Sequence, residues 1–231
     1  MKPPKEQLHG LLSFIDNQPQ GFAFTKENTQ EKELPKGTPE ARLSKLYKKF
    51  HRCQECPLAK QGRTKIVFGK GNPDAQLMFV GEGPGRDEDK QGAPFVGRAG
   101  QLLTKIIAAM GLKRTDVFIS NVVKCRPPHN RAPLPNEGPV CKKLILEKEI
   151  DIIKPKIICT LGATATQAIL GEQSRISRDR GKFFEWKNLL VIPTFHPAYA
   201  LRNPSAKHEI WSDMKIIIEK LGLKAPETKD S

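Results

Sequence analysis

Cys53 and Cys56, in the stretch CQECPLAK, form a C-x-x-C pair at the foot of a lysine-rich segment, and Cys125 and Cys141 flank a proline-rich loop further on. Four thiolates supply the donors of a closed metal centre. Zinc ribbons use two close pairs, and the Cys125 to Cys141 interval is far wider, so the spacing leaves zinc and an iron-sulfur cluster both open. A thioredoxin-like redox pair fits less well, because that motif follows a strand and this one follows a helix. Closed by four thiolates, the centre has no open position and is structural: it staples the 125–141 loop to the first helix. Cys159, inside the apolar run PKIICTLG, reads as a small buried hydrophobe.

A second group of residues suited to chemistry follows apolar runs. GEGPG (81–85) comes after AQLMFV, and its glycines let backbone N–H groups approach a ligand closely; it is neither a Walker loop nor a dinucleotide fingerprint. Phe95, in GAPFVGRAG, is either core or a stacking platform. Asn121, in FISNVVKCRPP, offers a bidentate amide, and His196, in TFHPAYALR, lies just beyond LLVIPTF.

These groups need elements to carry them. TPEARLSKLYKKF reads as a helix capped by Thr38, with Leu43, Leu46, Tyr47 and Phe50 on one face. AQLMFVG (75–81), DVFISNVVK (116–124), PKIICTLG (155–162) and NLLVIPTF read as strands, with KFFEW as the first arm of a hairpin. RAGQLLTKIIAAMG (98–111), EGPVCKKLILEKEIDIIK capped by Asn136, ATATQAIL and NPSAKHEIWSDMKIIIEKLG, started by Asn203 and Pro204, read as helices. The alternation predicts an α/β fold: a three-layer α/β/α sandwich around a central, mainly parallel four-stranded sheet. In such sheets ligands bind beyond the carboxyl ends of strands, where GEGPG, Asn121 and His196 fall.

Lys and Arg number 39 against 25 Asp and Glu, for a net charge of +14, which attracts polyanions and puts nucleic acid first among partners. Lys124, Arg126, Arg131, Arg175, Arg178, Arg180 and Arg202 are the candidate phosphate contacts. With no apolar run long enough to span a bilayer and no signal-peptide pattern, a cytoplasmic protein is expected, without a membrane role. Residues 1–37 read as a mostly disordered extension with an apolar cluster from Leu8 to Ile15, residues 38–222 as one domain, and 223–231 as a tail.

In order along the chain, G-E-G-P-G followed by Glu88 and Asp89, G-x-P-F-V-G-R-A-G, N-V-V-K-C-R-P-P-x-N-R and H-P-A-Y-x-L-R, with the four cysteines, resemble the family 4 uracil-DNA glycosylases, the iron-sulfur branch of that superfamily. The resemblance implies a 4Fe-4S cluster on Cys53, Cys56, Cys125 and Cys141. It also implies a monofunctional enzyme that flips uracil out of single- or double-stranded DNA and hydrolyses its glycosidic bond. Phe95 would stack on the base, Asn121 would read its edge, and His196 with backbone N–H groups around Gly83 would stabilise the departing anion. Glu82 would position water, and Glu88 and Asn130 would shape the pocket. The interval RDEDKQGA lacks the histidine with which one sub-branch traps its sugar, so no covalent intermediate is expected, and His129 is given no role. A monomer is expected, with the extension as a candidate contact for a replication or repair protein. Two alternatives are a non-catalytic iron-sulfur DNA-binding module of the same fold and a zinc-stabilised RNA-binding protein.

Overall fold

Thr38 Oγ1 accepts the Ala41 N–H at 3.2 Å and Pro39 occupies the first turn, so helix α1 (Pro39–Phe50) starts where the sequence places it. Leu43 and Phe50 are buried on its inner face, with Leu46 and Tyr47 packed beside them. The computed structural model describes residues 37–223; the readings of the extension and the tail lie, but for Gly37 and Leu223, outside the described residues.

The sheet has six strands in the order β1-β3-β2-β4-β6-β5. They are β1 (Lys70–Gly71), β2 (Leu77–Gly81), β3 (Phe118–Asn121), β4 (Ile157–Leu161), β5 (Phe184–Trp186) and β6 (Leu189–Thr194). The expected four strands are the parallel centre, β3-β2-β4-β6. The count is corrected from four to six by an antiparallel strand at each edge. β5 is the KFFEW arm, turned back through Lys187 and Asn188, both at positive φ as a two-residue hairpin loop requires. β1 has two residues, too few for a readable period.

Alternation along the buried strands divides the core into two layers. Leu77, Phe79, Ile119, Cys159 and Ile192 pack against α3 (Arg98–Ala109) and the last helix, while Met78, Val80, Phe118, Ile158 and Val191 pack against α1 and the 138–153 helical segment. The remaining helices are α2 (Arg86–Gln91), α4 (Gly138–Cys141), α5 (Glu147–Ile153), α6 (Ala163–Leu170), α7 (Ile176–Asp179), α8 (Pro197–Arg202) and α9 (Ala206–Leu221). A π-helical turn, Lys142–Leu146, joins α4 to α5, so the single helix expected there is broken. Asn136 does not cap it: Glu137 holds that position, its carboxylate accepting the Leu134 N–H and pairing with Arg131. Among the described residues, no helix is long and apolar enough to cross a membrane.

Between β3, α5 and α1 lies a fully buried ion pair, Lys124 Nζ to Glu149 Oε2 at 2.8 Å, both side chains 0% exposed. Glu149 Oε2 also accepts from Ser120 Oγ at 2.6 Å, and Oε1 accepts from Tyr47 OH at 2.9 Å and Gly69 N at 3.0 Å. Burial, followed by the Glu149 charge, holds the Tyr47 phenol far above its ordinary pKa, so it stays a donor. Removing one member of such a pair strands the other charge in the core. Glu149→Gln is therefore expected to lower unfolding free energy by about 3–5 kcal/mol in urea titration; a loss below about 1 kcal/mol, the range of an exposed pair, would contradict this account.

Candidate active site

The four parallel strands end together at Gly81, Asn121, Leu161 and Thr194, and the residues after them enclose the site. Beyond β3 the chain stays beside β2: Val122 N–H donates to Gly81 O at 2.9 Å and Val123 N–H to Glu82 O at 3.1 Å. Asn121 is 1% exposed, and its Oδ1 has no hydrogen-bond partner among the described residues. A buried acceptor left unmade costs about 1–3 kcal/mol, which a ligand carrying an N–H would recover.

Phe95 stands at φ +52°, a region that bulky residues rarely adopt. Five hydrogen bonds brace the turn around it. Val96 and Gly97 N–H each donate to Glu88 Oε1 at 2.8 Å, Gly85 N–H donates to Glu88 Oε2 at 3.1 Å, and the Arg114 guanidinium donates to Pro94 O and, at 3.0 Å, to Thr104 Oγ1. Gly100 admits the turn, since a β-carbon there would lie 1.9 Å from Phe95 O. At Gly81 a β-carbon would lie 2.5 Å from both Asn121 Oδ1 and Phe95 Cζ, so this glycine lets amide and ring converge.

The His196 ring is stacked 5.6 Å from that of Phe95 at 30°. His196 caps α8, its Nδ1 accepting the Ala198 N–H at 3.1 Å, which leaves the proton on Nε2. Burial first, then the charge of Arg202, pushes its pKa down to about 4, with Glu88 acting weakly the other way. The imidazole is a neutral donor at physiological pH. Glu82 is half-buried, and Thr164 Oγ1, in the first turn of α6, donates to its Oε2 at 2.5 Å. Gly83 faces Val123, whose Cγ2 lies 2.7 Å from where a β-carbon would be.

Other expected site residues have different places. Both Glu88 oxygens serve backbone N–H groups, so it holds the Phe95 turn to the GEGPG loop rather than facing a base. Asn130 is exposed in the 3-10 turn Pro128–Asn130, and its Oδ1 accepts from Arg126 Nε at 2.8 Å, so its amide serves an arginine instead of the pocket. Lys124 is corrected outright: its ammonium is fully buried and paired, out of reach of a phosphate. Arg131, Arg178 and Arg180 are paired with Glu137, Asp179 and Asp213. Arg126, Arg175 and Arg202 have no carboxylate within ion-pair distance among the described residues. Arg114 and Thr164 are not singled out by sequence, since each acts on a residue distant in the chain; Gly81 and Gly100 lie within the glycine motifs, which do not show what they pack against.

The four thiols converge from separate segments. Cys53 follows α1, Cys56 caps the 3-10 turn Pro57–Lys60, Cys125 follows β3 and Cys141 ends α4. Arg63 donates to Cys125 Sγ at 3.1 Å and to Cys53 O at 2.7 Å, and Lys124 N–H donates to Cys141 Sγ at 3.3 Å. Burial pushes the Cys141 thiol up to about 12, with Lys124 opposing and Cys125 and Cys56 adding to the rise. Cys125 is raised by burial and by its neighbours Cys56 and Cys53. Cys53, Cys56 and Cys125 each raise the pKa of at least one other thiol of the set, and every donor is a soft sulfur suited to a thiophilic metal centre. Among the described residues, no three His, Cys, Asp or Glu side chains close around a single ion position. Cys159 is buried in the core, as expected.

A parallel α/β sheet whose strand ends bring together an aromatic face, an orphan amide oxygen and a neutral imidazole donor defines an enzyme that receives a planar, hydrogen-bonding base. The chain belongs to the uracil-DNA glycosylase superfamily: a family model described as "Uracil DNA glycosylase superfamily" matches residues 68–215. It is similar to the "Type-4 uracil-DNA glycosylase" of Thermotoga maritima, 48% identical over 170 residues that cover 73% of this chain and 88% of the relative. The protein of that name from Archaeoglobus fulgidus is 43% identical over 196 residues, covering 81% of this chain and 98% of the relative. A "DNA polymerase" of Bacillus phage SP01 is 29% identical over 169 residues, 73% of this chain but 18% of its own length.

The depressed pKa of His196 sets a pH dependence. Between the ordinary 6.5 and about 4 the unfolded chain binds a proton that the folded chain excludes, so stability falls as pH falls through that window. Titration of the ring by NMR should show a neutral, Nε2-protonated imidazole down to about pH 5; protonation near its ordinary value would contradict the burial and the Arg202 contact.

Proposed function

We propose that the chain is a monofunctional uracil-DNA glycosylase, a cytoplasmic repair enzyme that removes the base formed when cytosine in DNA is deaminated. The observation that carries this reading is the buried, unpartnered Oδ1 of Asn121, which converges with the edge of the Phe95 ring over Gly81. Uracil offers N3–H beside O4, a donor beside an acceptor; Oδ1 takes the first and the Asn121 amide N–H donates to the second. Cytosine would set its N3 lone pair against Oδ1 and its amino group against the amide N–H, leaving buried groups unsatisfied.

Flipped from its stack, the base lies on Phe95 and reaches His196 through O2. As the bond from C1′ to N1 breaks, its electron pair goes to the base and positive charge develops on the sugar. The neutral His196 Nε2–H donates to O2 and stabilises the anion without giving up its proton. Glu82, held by Thr164, orients water towards C1′ and accepts the proton released as the C1′–O bond forms. Arg126, Arg175 and Arg202 are the phosphate contacts. The reading takes the chain as a monomer, with the extension as the candidate contact for a repair partner.

Cys53, Cys56, Cys125 and Cys141 would hold a 4Fe-4S cluster. Its contribution is structural: it ties the loop that carries Arg126 and Arg131 to α1. Purified protein is expected to contain about four iron and four sulfide per chain and to lose both in Cys141→Ser; stoichiometric zinc without sulfide would overturn the assignment.

The enzyme reading is tested on an oligonucleotide carrying one uracil, cleaved by alkali where the base has gone. Phe95→Ala, Asn121→Ala and His196→Ala should each slow single-turnover excision by about 10²–10³-fold. Glu82→Gln should slow it by about 10²-fold, and an unchanged rate would remove Glu82 from the mechanism. An inert wild-type chain that binds the same DNA would replace the enzyme with a binding module.

A further inference from the structure

We propose that Lys124, held by Glu149, is a positioning residue for uracil selection: it acts through Asn121 although it lies out of reach of DNA. This inference rests on the glycosylase reading.

An ammonium has three N–H donors, and those of Lys124 go to Ser120 Oγ, to the main-chain oxygen of Asn121 at 2.8 Å and to Glu149 Oε2 at 2.8 Å. Two of the three bonds grip consecutive residues at the end of β3. Side chains alternate along a strand, so the ammonium meets Ser120 on the face opposite the Asn121 amide and clasps the strand end from behind. The Asn121 carbonyl is thereby fixed, and the same peptide unit is fixed at its other end by Val122 N–H to Gly81 O at 2.9 Å.

That double hold explains why an orphan oxygen persists in the pocket. A buried Oδ1 without a partner favours any shift that would find it a donor, and it stays in place only where the surroundings over-determine it. The hold on the carbonyl is charge-assisted and so stronger than a neutral hydrogen bond. Glu149 keeps the ammonium from moving, being anchored by the Tyr47 hydroxyl and Gly69 N–H. The Lys124 main chain is anchored as well, its N–H by Cys141 Sγ and its carbonyl by Val67 N–H at 2.7 Å. A base-reading amide displaced by a fraction of an ångström loses its alignment to N3–H and O4, and misplacement of about 1 Å can cost about 10²-fold in rate.

The test combines substitutions behind the pocket with one inside it. Lys124→Met/Glu149→Leu removes both charges, so neither is stranded. Ser120→Ala removes one bond from each partner and keeps both charges. Each is made with Asn121 present and in an Asn121→Ala background, after thermal melting has established folding. Two quantities are read: single-turnover excision, and the preference for a non-hydrolysable 2′-fluoro deoxyuridine oligonucleotide over its cytosine counterpart. With Asn121 present, the double substitution should lower excision by about 10²-fold and remove most of the preference. Ser120→Ala should do the same to a smaller degree. In the Asn121→Ala background both should change either quantity by less than about twofold, because the residue they act through is gone. Equal losses in both backgrounds would show a general packing role and overturn the proposal, as would no loss with Asn121 present. If the double variant does not fold, Ser120→Ala decides by the same criteria. A wild-type chain that leaves uracil in place counts against the glycosylase reading, while analogue binding still reports on Asn121, so the two failures stay distinct.

Discussion

Glu149 is buried without exposed surface and its two oxygens accept four hydrogen bonds, from Tyr47, Gly69, Ser120 and Lys124. Those partners belong to α1, to the segment leading into β1, to β3 and to the turn that enters the thiol site. A buried carboxylate with four partners leaves a costly unmade bond wherever one is lost, so it fixes how the first helix, the sheet edge and the 121–125 crossing fit together. The crossing is the segment on which function depends: Asn121 faces the pocket at one end and Cys125 faces the other thiols at its other end.

The pocket itself is built by constraint. Phe95 stands in an unfavourable backbone region because Glu88, Arg114 and Gly100 hold its turn, and Asn121 keeps an unmade hydrogen bond because its main chain is pinned on both sides. His196 is kept neutral by burial and by the charge of Arg202, with Nδ1 engaged and the proton on Nε2. Of these features the unmade bond at Asn121 is the one that a planar base with an N–H would recover, while the Phe95 turn and the neutral imidazole are set by the fold itself. This is preorganisation: donors and acceptors stand where charge will develop before the substrate arrives.

Much of this was legible in the sequence because of where residues fall relative to apolar runs. Asn121 and His196 stand just past strands, and in a parallel sheet that position alone points them towards the ligand edge. Thr38 and Pro39 announced α1 through capping chemistry. Lys124 was misread because it stands beyond a strand in a chain with a surplus of basic residues, which suggests surface; burial is decided by Glu149, a partner distant in the chain. The two-residue β1 exists only through its pairing with Phe118 and Ile119, and no period precedes it. Asn136 has the residue type of a cap, but the helix starts at Gly138, so Glu137 takes the cap position and its carboxylate turns back to the Leu134 N–H and Arg131 instead of capping. Arg114 and Thr164 escaped notice for a shared reason: each matters through contacts from elsewhere in the fold, which residue type does not encode.

A crystal structure of the protein with a duplex carrying one non-hydrolysable 2′-fluoro deoxyuridine tests the central claim most directly. The account requires an extrahelical uracil stacked on Phe95, its N3–H donated to Asn121 Oδ1 and its O2 within hydrogen-bond distance of His196 Nε2, about 2.7–3.1 Å. A base that stays in the DNA stack, or that enters the cleft and leaves Asn121 Oδ1 unpartnered, would contradict it.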